Sequence, residues 1–282
     1  MIKIFLLLLL SNLLILFNLK KFSRFINIYD KPNKKLKKHK SNVPLVGGII
    51  TIINIIIYSF LSLFFETPFK DIVFLNTEYI SIFFLGTSFF LLGLYDDKFN
   101  LSPNKKFLYS IVIILISILL NEKLIIKMLS ISFIEKMIFF ENFSYFFTIF
   151  CILILTNALN FYDGINGQSC IIFLISFCFL FLKSEMNYFY LVALFSVLFV
   201  FFLNITNKVF LGDSGIYFLS IILSLCLIYE YNIQNNIIYS DEIFFLLFLP
   251  GIDLLRLTIS RLSNFKNPFY GDRNHIHHLL IK

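Results

Sequence analysis

Long apolar runs alternate with short polar islands along the whole chain. Nine runs approach or reach the length needed to cross a hydrocarbon core of about 30 Å. They cover residues 2–19, 46–65, 79–94, 107–120, 143–159, 169–182, 188–202, 215–229 and 243–257. The pattern predicts an all-α fold, a polytopic membrane bundle of about nine helices. Residues 124–140 are apolar too, but Lys127, Glu135 and Lys136 break them, which predicts a surface or partly embedded loop rather than a tenth span. The first run is too long for a signal peptide. No small-residue cleavage site follows it and a basic cluster does, so it reads as a retained first helix. With no internal repeat and no separate soluble stretch, residues 1–282 read as one membrane domain.

Composition agrees with the pattern. The chain is 59% hydrophobic with a mean hydropathy of +0.85, which excludes the ordinary soluble globular class. Cys151, Cys170, Cys178 and Cys226 lie in or beside apolar runs with no CxxC spacing, so they read as helix packing and signal neither a disulfide nor zinc. No nucleic-acid partner is expected.

Nine spans sort the loops onto two sides. Segments 20–45, 95–106, 160–168, 203–214 and 256–282, with Asp253 at the border of the last, carry 18 Lys+Arg and 7 acids. The remainder carries 6 Lys and 10 acids. By the positive-inside rule the first set is cytoplasmic, the N-terminus outside and the C-terminus inside. Acid type sorts as well. All eight Glu fall on the outer side, whereas the inner acids are all Asp: Asp30, Asp96, Asp97, Asp163, Asp213, Asp253 and Asp272. Asp has one fewer rotatable bond than Glu, which suits a rigid ion or phosphate site.

The inner islands hold the candidate chemistry. Asp96 and Asp97 are adjacent at the end of an apolar run, where like charges repel and desolvation is costly. Such a pair points to a divalent cation placed between it and an anionic substrate. Lys105 and Lys106 follow. Asn157, Asn160, Asp163 and Asn166 recur every third residue at the end of another run, an amide-rich arrangement suited to a sugar, a base or a phosphate, or to a capped helix end. Asp213 stands between Gly212 and Gly215 at the entry to the next run, as a cap, a metal ligand or both. Nine Lys+Arg fall between residues 20 and 40, either a topology anchor touching anionic lipid or a phosphate-attracting rim. After them, Gly47-Gly48 permits close backbone approach at a helix start, for a phosphate or for packing. Near the C-terminus, Arg273 precedes His275, His277 and His278. Lacking a Cys or a helical i, i+4 His pair, these imidazoles suit hydrogen bonding to a diphosphate or sugar better than zinc.

Read in order, Asp30-Lys-Pro with Pro44-x-x-Gly47-Gly48, Asp96-Asp97-x-x-x-Leu101 with Lys106, Asn157-x-x-Asn160-x-x-Asp163-Gly164, Gly212-Asp213-x-Gly215 and Asp272-Arg273-x-His275-Ile276-His277-His278 resemble the polyprenyl-phosphate N-acetylhexosamine-1-phosphate transferase family. Its members include the WecA-type enzymes and, more distantly, MraY; the His-Ile-His-His ending resembles the WecA branch. Four features depart from the family pattern. The basic loop between Asp30 and His39 is one residue longer, Asn166 stands where many members carry Asp, and Ile216 replaces a usual Ser. The resemblance also implies at least one further span beyond His278, whereas four residues follow it here.

The resemblance implies transfer of a HexNAc-1-phosphate from a UDP-HexNAc to polyprenyl (undecaprenyl) phosphate, with UMP released, in the bacterial cytoplasmic membrane. It implies Mg²⁺, or Mn²⁺, held by Asp213 and Asp97. Asp96, Asp97 and Asp163 are then the catalytic carboxylates, with Asp96 on the lipid phosphate. Asn157, Asn160, Asn166, Lys106, Arg273, His275, His277 and His278 bind substrate. A one-step displacement and an aspartyl-phosphate intermediate both stay open, and a homodimer is one assembly the family allows. Two other classes compete. A transporter of ions or small solutes would stage charges across the bilayer, yet mid-span charges are nearly absent here. An inactive member acting as a scaffold is the other.

Overall fold

The computed structural model describes residues 2–32, 41–62, 77–184, 187–232 and 238–265. His39, Asp71, Asp272, Arg273, His275, His277 and His278 lie outside the described residues. The helices are α1 (Ile2–Phe17), α2 (Leu19–Ile26), α3 (Gly47–Ser62), α4 (Thr77–Phe99), α5 (Pro103–Leu120), α6 (Ser144–Tyr162), α7 (Gln168–Lys183), α8 (Asn187–Ile205), α9 (Gly212–Asn232), α10 (Ser240–Leu246) and α11 (Phe248–Ser263). Each of the nine apolar runs becomes a helix or a bent helix pair, and most helices extend past the apolar run into its polar border.

Helix α9 is the axis of the bundle. Nearly all of it from Gly212 to Tyr231 is buried, as expected of a helix that is apolar on every side. It packs on α3, α4, α6 and α7. The outer helices show the complementary surface. On α5, Leu108, Val112, Leu115 and Leu119 are exposed, an apolar face that suits lipid rather than water. Buried polar side chains join helices within this apolar body. Asn54 Nδ2 on α3 donates to Asn12 Oδ1 on α1 at 3.1 Å, the interhelical amide contact common between membrane helices.

Among the described residues, four helices are long and apolar enough to cross a membrane, α5, α6 with its preceding turn, α8 and α9, or six spans if two bent pairs count as one each. The protein is accordingly an integral membrane helical bundle. The bends were not expected. The first run breaks at Asn18, and α2 leaves α1 at 77°. The last run breaks at Leu247, and α11 leaves α10 at 75°. Pro250 in the first turn of α11 has no N–H for the Leu246 carbonyl, and its ring crowds that carbonyl, so a continuous helix is blocked there.

The all-α expectation holds, and two small antiparallel hairpins accompany the helices. Strands β1 (Tyr29–Asp30) and β2 (Val43–Pro44) pair near the start of the chain. Strands β3 (Met128–Ile131) and β4 (Ile134–Phe139) form the hairpin within the region expected to be a loop, with a bulge between Leu129 and Ile131. This second hairpin is pinned to distant helix ends. Tyr231 Oη accepts from Ser130 N at 2.7 Å and donates to Met128 O at 3.1 Å. Ser132 donates to Asp241 through N at 2.9 Å and Oγ at 2.6 Å.

Sorting of acids by type largely follows bundle end. Glu230 and Glu242 belong to the end that carries β3–β4, where Lys183 pairs with Glu242 at 2.7 Å, and Asp241 departs from the pattern by standing with them. Asp96, Asp97 and Asp213 gather at the other end.

Candidate active site

The site forms where α4 ends, α5 begins and α9 begins. Segment 44–48 frames it through four backbone hydrogen bonds: Leu45 N to Ile28 O, Phe210 N to Pro44 O, Gly47 N to Phe210 O and Gly48 N to Leu211 O, each at 3.0 Å. A Cβ on Gly48 would stand 2.3 Å from Gly215 N, so packing of α3 on α9 accounts for the Gly47-Gly48 pair. The turn into α9 is fixed at Gly212, whose φ of +74° disfavours any side chain. A Cβ there would also meet Asp97 Oδ2 at 2.8 Å.

The two adjacent acids point to different tasks. Asp97 Oδ1 accepts from Asp213 N at 2.8 Å and its Oδ2 from Ser214 N at 3.0 Å. It therefore caps the N-terminus of α9, where free N–H groups and the helix dipole favour a negative charge. Asp96 is only 2% exposed and faces inward. Its Oδ1 accepts from Leu101 N at 2.8 Å, closing the turn between α4 and α5. Its Oδ2 forms an ion pair with Lys106 Nζ. The same ammonium lies 3.5 Å from Asp213 Oδ2, whose side chain is 35% exposed. Lys106 thus bridges the Asp96 and Asp213 carboxylates, and Asp213 is the one that opens to solvent.

Tyr217 extends the cluster. It stands one helical turn after Asp213, so both occupy one face of α9. Its ring packs edge-on to Phe89, with centroids 6.2 Å apart. Its hydroxyl receives a long contact of 3.5 Å from Asn160 Nδ2. Spacing four residues after Asp213 was the signal in the sequence, and an apolar context hid it. Tyr217→Phe is expected to raise KM for the water-soluble substrate and to lower kcat/KM by no more than about tenfold, the value of one neutral hydrogen bond. Steady-state kinetics with both substrates varied check the split.

The amide series divides. Asn157 and Asn160 are on α6, but the helix ends at Tyr162. Asn157 Nδ2 donates to its own helix at Leu153 O, 2.7 Å away. Beyond the helix, Asp163 Oδ1 accepts from Ser169 Oγ at 2.6 Å. Asp163 keeps a solvent-reachable surface, yet desolvation by the crowded helix ends raises its pKa to about 6, opposed by the Ser169 hydrogen bond. Asn166 Nδ2 donates to Asn207 Oδ1 at 2.7 Å just beyond the end of α8. Asn204, which the sequence did not single out, accepts from Gly167 N at 2.6 Å and fixes this loop from the other side.

A divalent cation is consistent with these donors. Carboxylate oxygens are hard ligands, and Mg²⁺ usually takes one or two of them and completes its shell with water and substrate phosphate. Lys106 already marks positive charge between Asp96 and Asp213. Among the described residues no three or more His, Cys, Asp or Glu side chains converge.

The family profile described as "Glycosyl transferase family 4" matches residues 79–230, which contain every site residue just described except segment 44–48. The chain belongs to glycosyl transferase family 4. Among its curated relatives, the undecaprenyl-phosphate alpha-N-acetylglucosaminyl 1-phosphate transferase of Escherichia coli (strain K12) is 26% identical, over 95% of this chain and 73% of its own. The protein of the same name from Yersinia pestis is 26% identical over 97% and 74%. The phospho-N-acetylmuramoyl-pentapeptide-transferase of Petrotoga mobilis (strain DSM 10674 / SJ95) is 30% identical over 70% of this chain and 62% of its own. Membership of glycosyl transferase family 4 thus spans both branches suggested by the motifs.

Proposed function

We propose that this chain transfers a HexNAc-1-phosphate from a UDP-HexNAc to polyprenyl (undecaprenyl) phosphate, giving polyprenyl-diphosphate-HexNAc and UMP. One observation carries the reading: Asp96, Asp97, Lys106, Asp213 and, through Tyr217, Asn160 converge at one end of an apolar bundle. A lipid phosphate is confined to the membrane surface and a nucleotide sugar arrives from water, so a polar site at the end of the spans suits both. The names of the relatives support a lipid phosphate acceptor and a phosphosugar donor. In this reading the chain is one membrane domain of nine spans in the bacterial inner membrane, with the N-terminus outside and the site on the cytoplasmic side.

The reaction joins two anions. An oxygen of the lipid phosphate attacks the sugar-bearing phosphorus, and the bond to UMP breaks. A lipid phosphate has its second pKa near about 6, so at neutral pH it is mostly ionised and orientation matters more than base strength. Asp96 and Lys106 orient it: the ammonium offsets phosphate charge, and the buried carboxylate fixes the ammonium. Asp213, with Asp97 behind it, would hold Mg²⁺ or Mn²⁺. When bound, that ion offsets charge on the diphosphate and on the leaving UMP. Asp97 keeps the α9 turn in place for Asp213. Asn157, Asn160, Asp163 and Asn166 are assigned to the nucleotide or the sugar by motif, and Asn160 is the one that reaches Tyr217 beside Asp213. Arg273, His275, His277 and His278 are assigned to the sugar diphosphate by motif alone.

The test is UMP release by membranes carrying the protein, supplied with polyprenyl phosphate and a panel of UDP-sugars. The expected result is release with a UDP-HexNAc, lost on adding a chelator and restored by excess Mg²⁺. Correctly inserted protein that releases no UMP from any UDP-HexNAc would overturn the reading.

A further inference from the structure

The sharp turn after α1 creates a surface that the catalytic reading does not use. Helix α2 leaves α1 at 77°, so with α1 crossing the bilayer α2 runs close to the membrane plane. Its faces are strongly segregated. Leu19, Phe22 and Ile26 pack against the bundle core and Ser23 is buried. Lys20, Lys21 and Arg24 are exposed on the opposite face. Phe25 borders that basic face and is 85% exposed, and Phe17, at the end of α1, is 82% exposed. An exposed aromatic edge beside a basic face is the composition of an interfacial helix: the ring enters the acyl boundary and the cations meet headgroups. The bundle end is the same one that holds the active site, because Ile28, just beyond α2, bonds Leu45, and Pro44 bonds Phe210.

We propose that α2 is a docking surface for anionic membrane lipids, whose headgroups pair with Lys20, Lys21 and Arg24 while Phe25 enters the acyl region. Charge complementarity selects this occupant. Three cations on an eight-residue helix have no acidic side chain on that helix to pair with, and the anionic leaflet is the extended negative surface at this depth. The docked helix is joined to the catalytic turn by an unbroken series of backbone bonds. Asn27 N donates to Ser23 O at 2.9 Å, and Ile28 O accepts from Leu45 N. Pro44 O accepts from Phe210 N, and Leu211 O from Gly48 N. Gly212 and Asp213 follow directly, and Asp97 caps them. Lipid bound at α2 therefore braces segment 44–48, whose backbone holds the residues leading into α9.

The chain contains no Trp, so Phe25→Trp places a single indole on this edge. The test reconstitutes the full Phe25→Trp chain in phosphatidylcholine vesicles with about one quarter phosphatidylglycerol. Bromine is placed on the acyl chains of either lipid at equal mole fraction. Quenching by brominated phosphatidylglycerol is expected to exceed quenching by brominated phosphatidylcholine by about twofold or more, and the excess is expected to shrink at high salt. Adding Lys20→Gln, Lys21→Gln and Arg24→Gln should remove the excess while leaving general quenching in place. Equal quenching by the two lipids in the Phe25→Trp chain would overturn the proposal, as would a fully water-exposed indole emission. Neither readout depends on catalysis, so the outcome is separate from that of the sugar-phosphate assay.

Discussion

Asp213→Asn is expected to lower UMP release by about a thousandfold while leaving folding intact, whereas Asp97→Asn should lower both release and stability. The difference follows from what each carboxylate touches. Asp213 is 35% exposed, and its Oδ2 lies 3.5 Å from the Lys106 ammonium. An amide of the same shape removes its charge and its ligand strength, and no backbone group loses a partner. Asp97 instead accepts from two backbone N–H groups, one on each oxygen. An Asn there turns an NH₂ toward one of those donors, so one N–H is orphaned and faces another donor. Loss of the negative charge also removes its interaction with the α9 dipole. The cost is about 1–3 kcal/mol of stability. Thermal unfolding of the purified protein in detergent, alongside UMP release, separates the two. A lowered melting temperature for Asp213→Asn with an unchanged one for Asp97→Asn would reverse the assignment of tasks.

How much of this was legible in the sequence differs by scale. The apolar cores of the spans are local signals of length and hydropathy, and all nine runs became helices or bent pairs. The bends depend on single residues, Asn18 and Pro250, that composition averages away. The β3–β4 hairpin was hidden because its stabilising partners, Tyr231 and Asp241, lie about one hundred residues further along the chain. In the site, the residues of Asp96-Asp97, Lys106 and Asp213 were readable as chemistry, and the structure brings them together. The capping role of Asp97 was not readable, because the N–H groups that hold it come from 116 and 117 positions away. Asn157, Asn160, Asp163 and Asn166 were read as an amide-rich group at the end of one run, but steps of three drift about 60° each around a helix, and α6 ends at Tyr162. Asn166 consequently turns to Asn207. Tyr217 was legible in principle, since its spacing from Asp213 matches one helical turn.

Gly93→Ala is expected to abolish most activity although it leaves every polar side chain of the site unchanged. Ala is the better helix former by about 1 kcal/mol, so propensity alone predicts a gain. The contact outweighs it. A Cβ at position 93 would stand 2.4 Å from Asp213 O and 2.5 Å from Ser214 Cα, both backbone atoms of α9 that no rotamer change can move aside. Helices α4 and α9 must separate, at a cost of about 1–3 kcal/mol or more. They separate at the place where Asp97, one turn further along α4, reaches the N–H groups of Asp213 and Ser214. A shift of about 1 Å there loosens the cap and displaces Asp96 and Asp213 relative to Lys106, and misplacement of that size can cost about a hundredfold in rate. Two other glycines provide the control. Gly86→Ala on the same helix meets only side-chain ends, Ile222 Cδ1 at 3.5 Å and Phe218 Cε2 at 3.7 Å. Gly251→Ala meets nothing within 4 Å. Both should keep near-wild-type release, and Gly251→Ala should melt no lower than the parent. If Gly93→Ala behaves as these two do, the close crossing of α4 and α9 is not what positions the carboxylates.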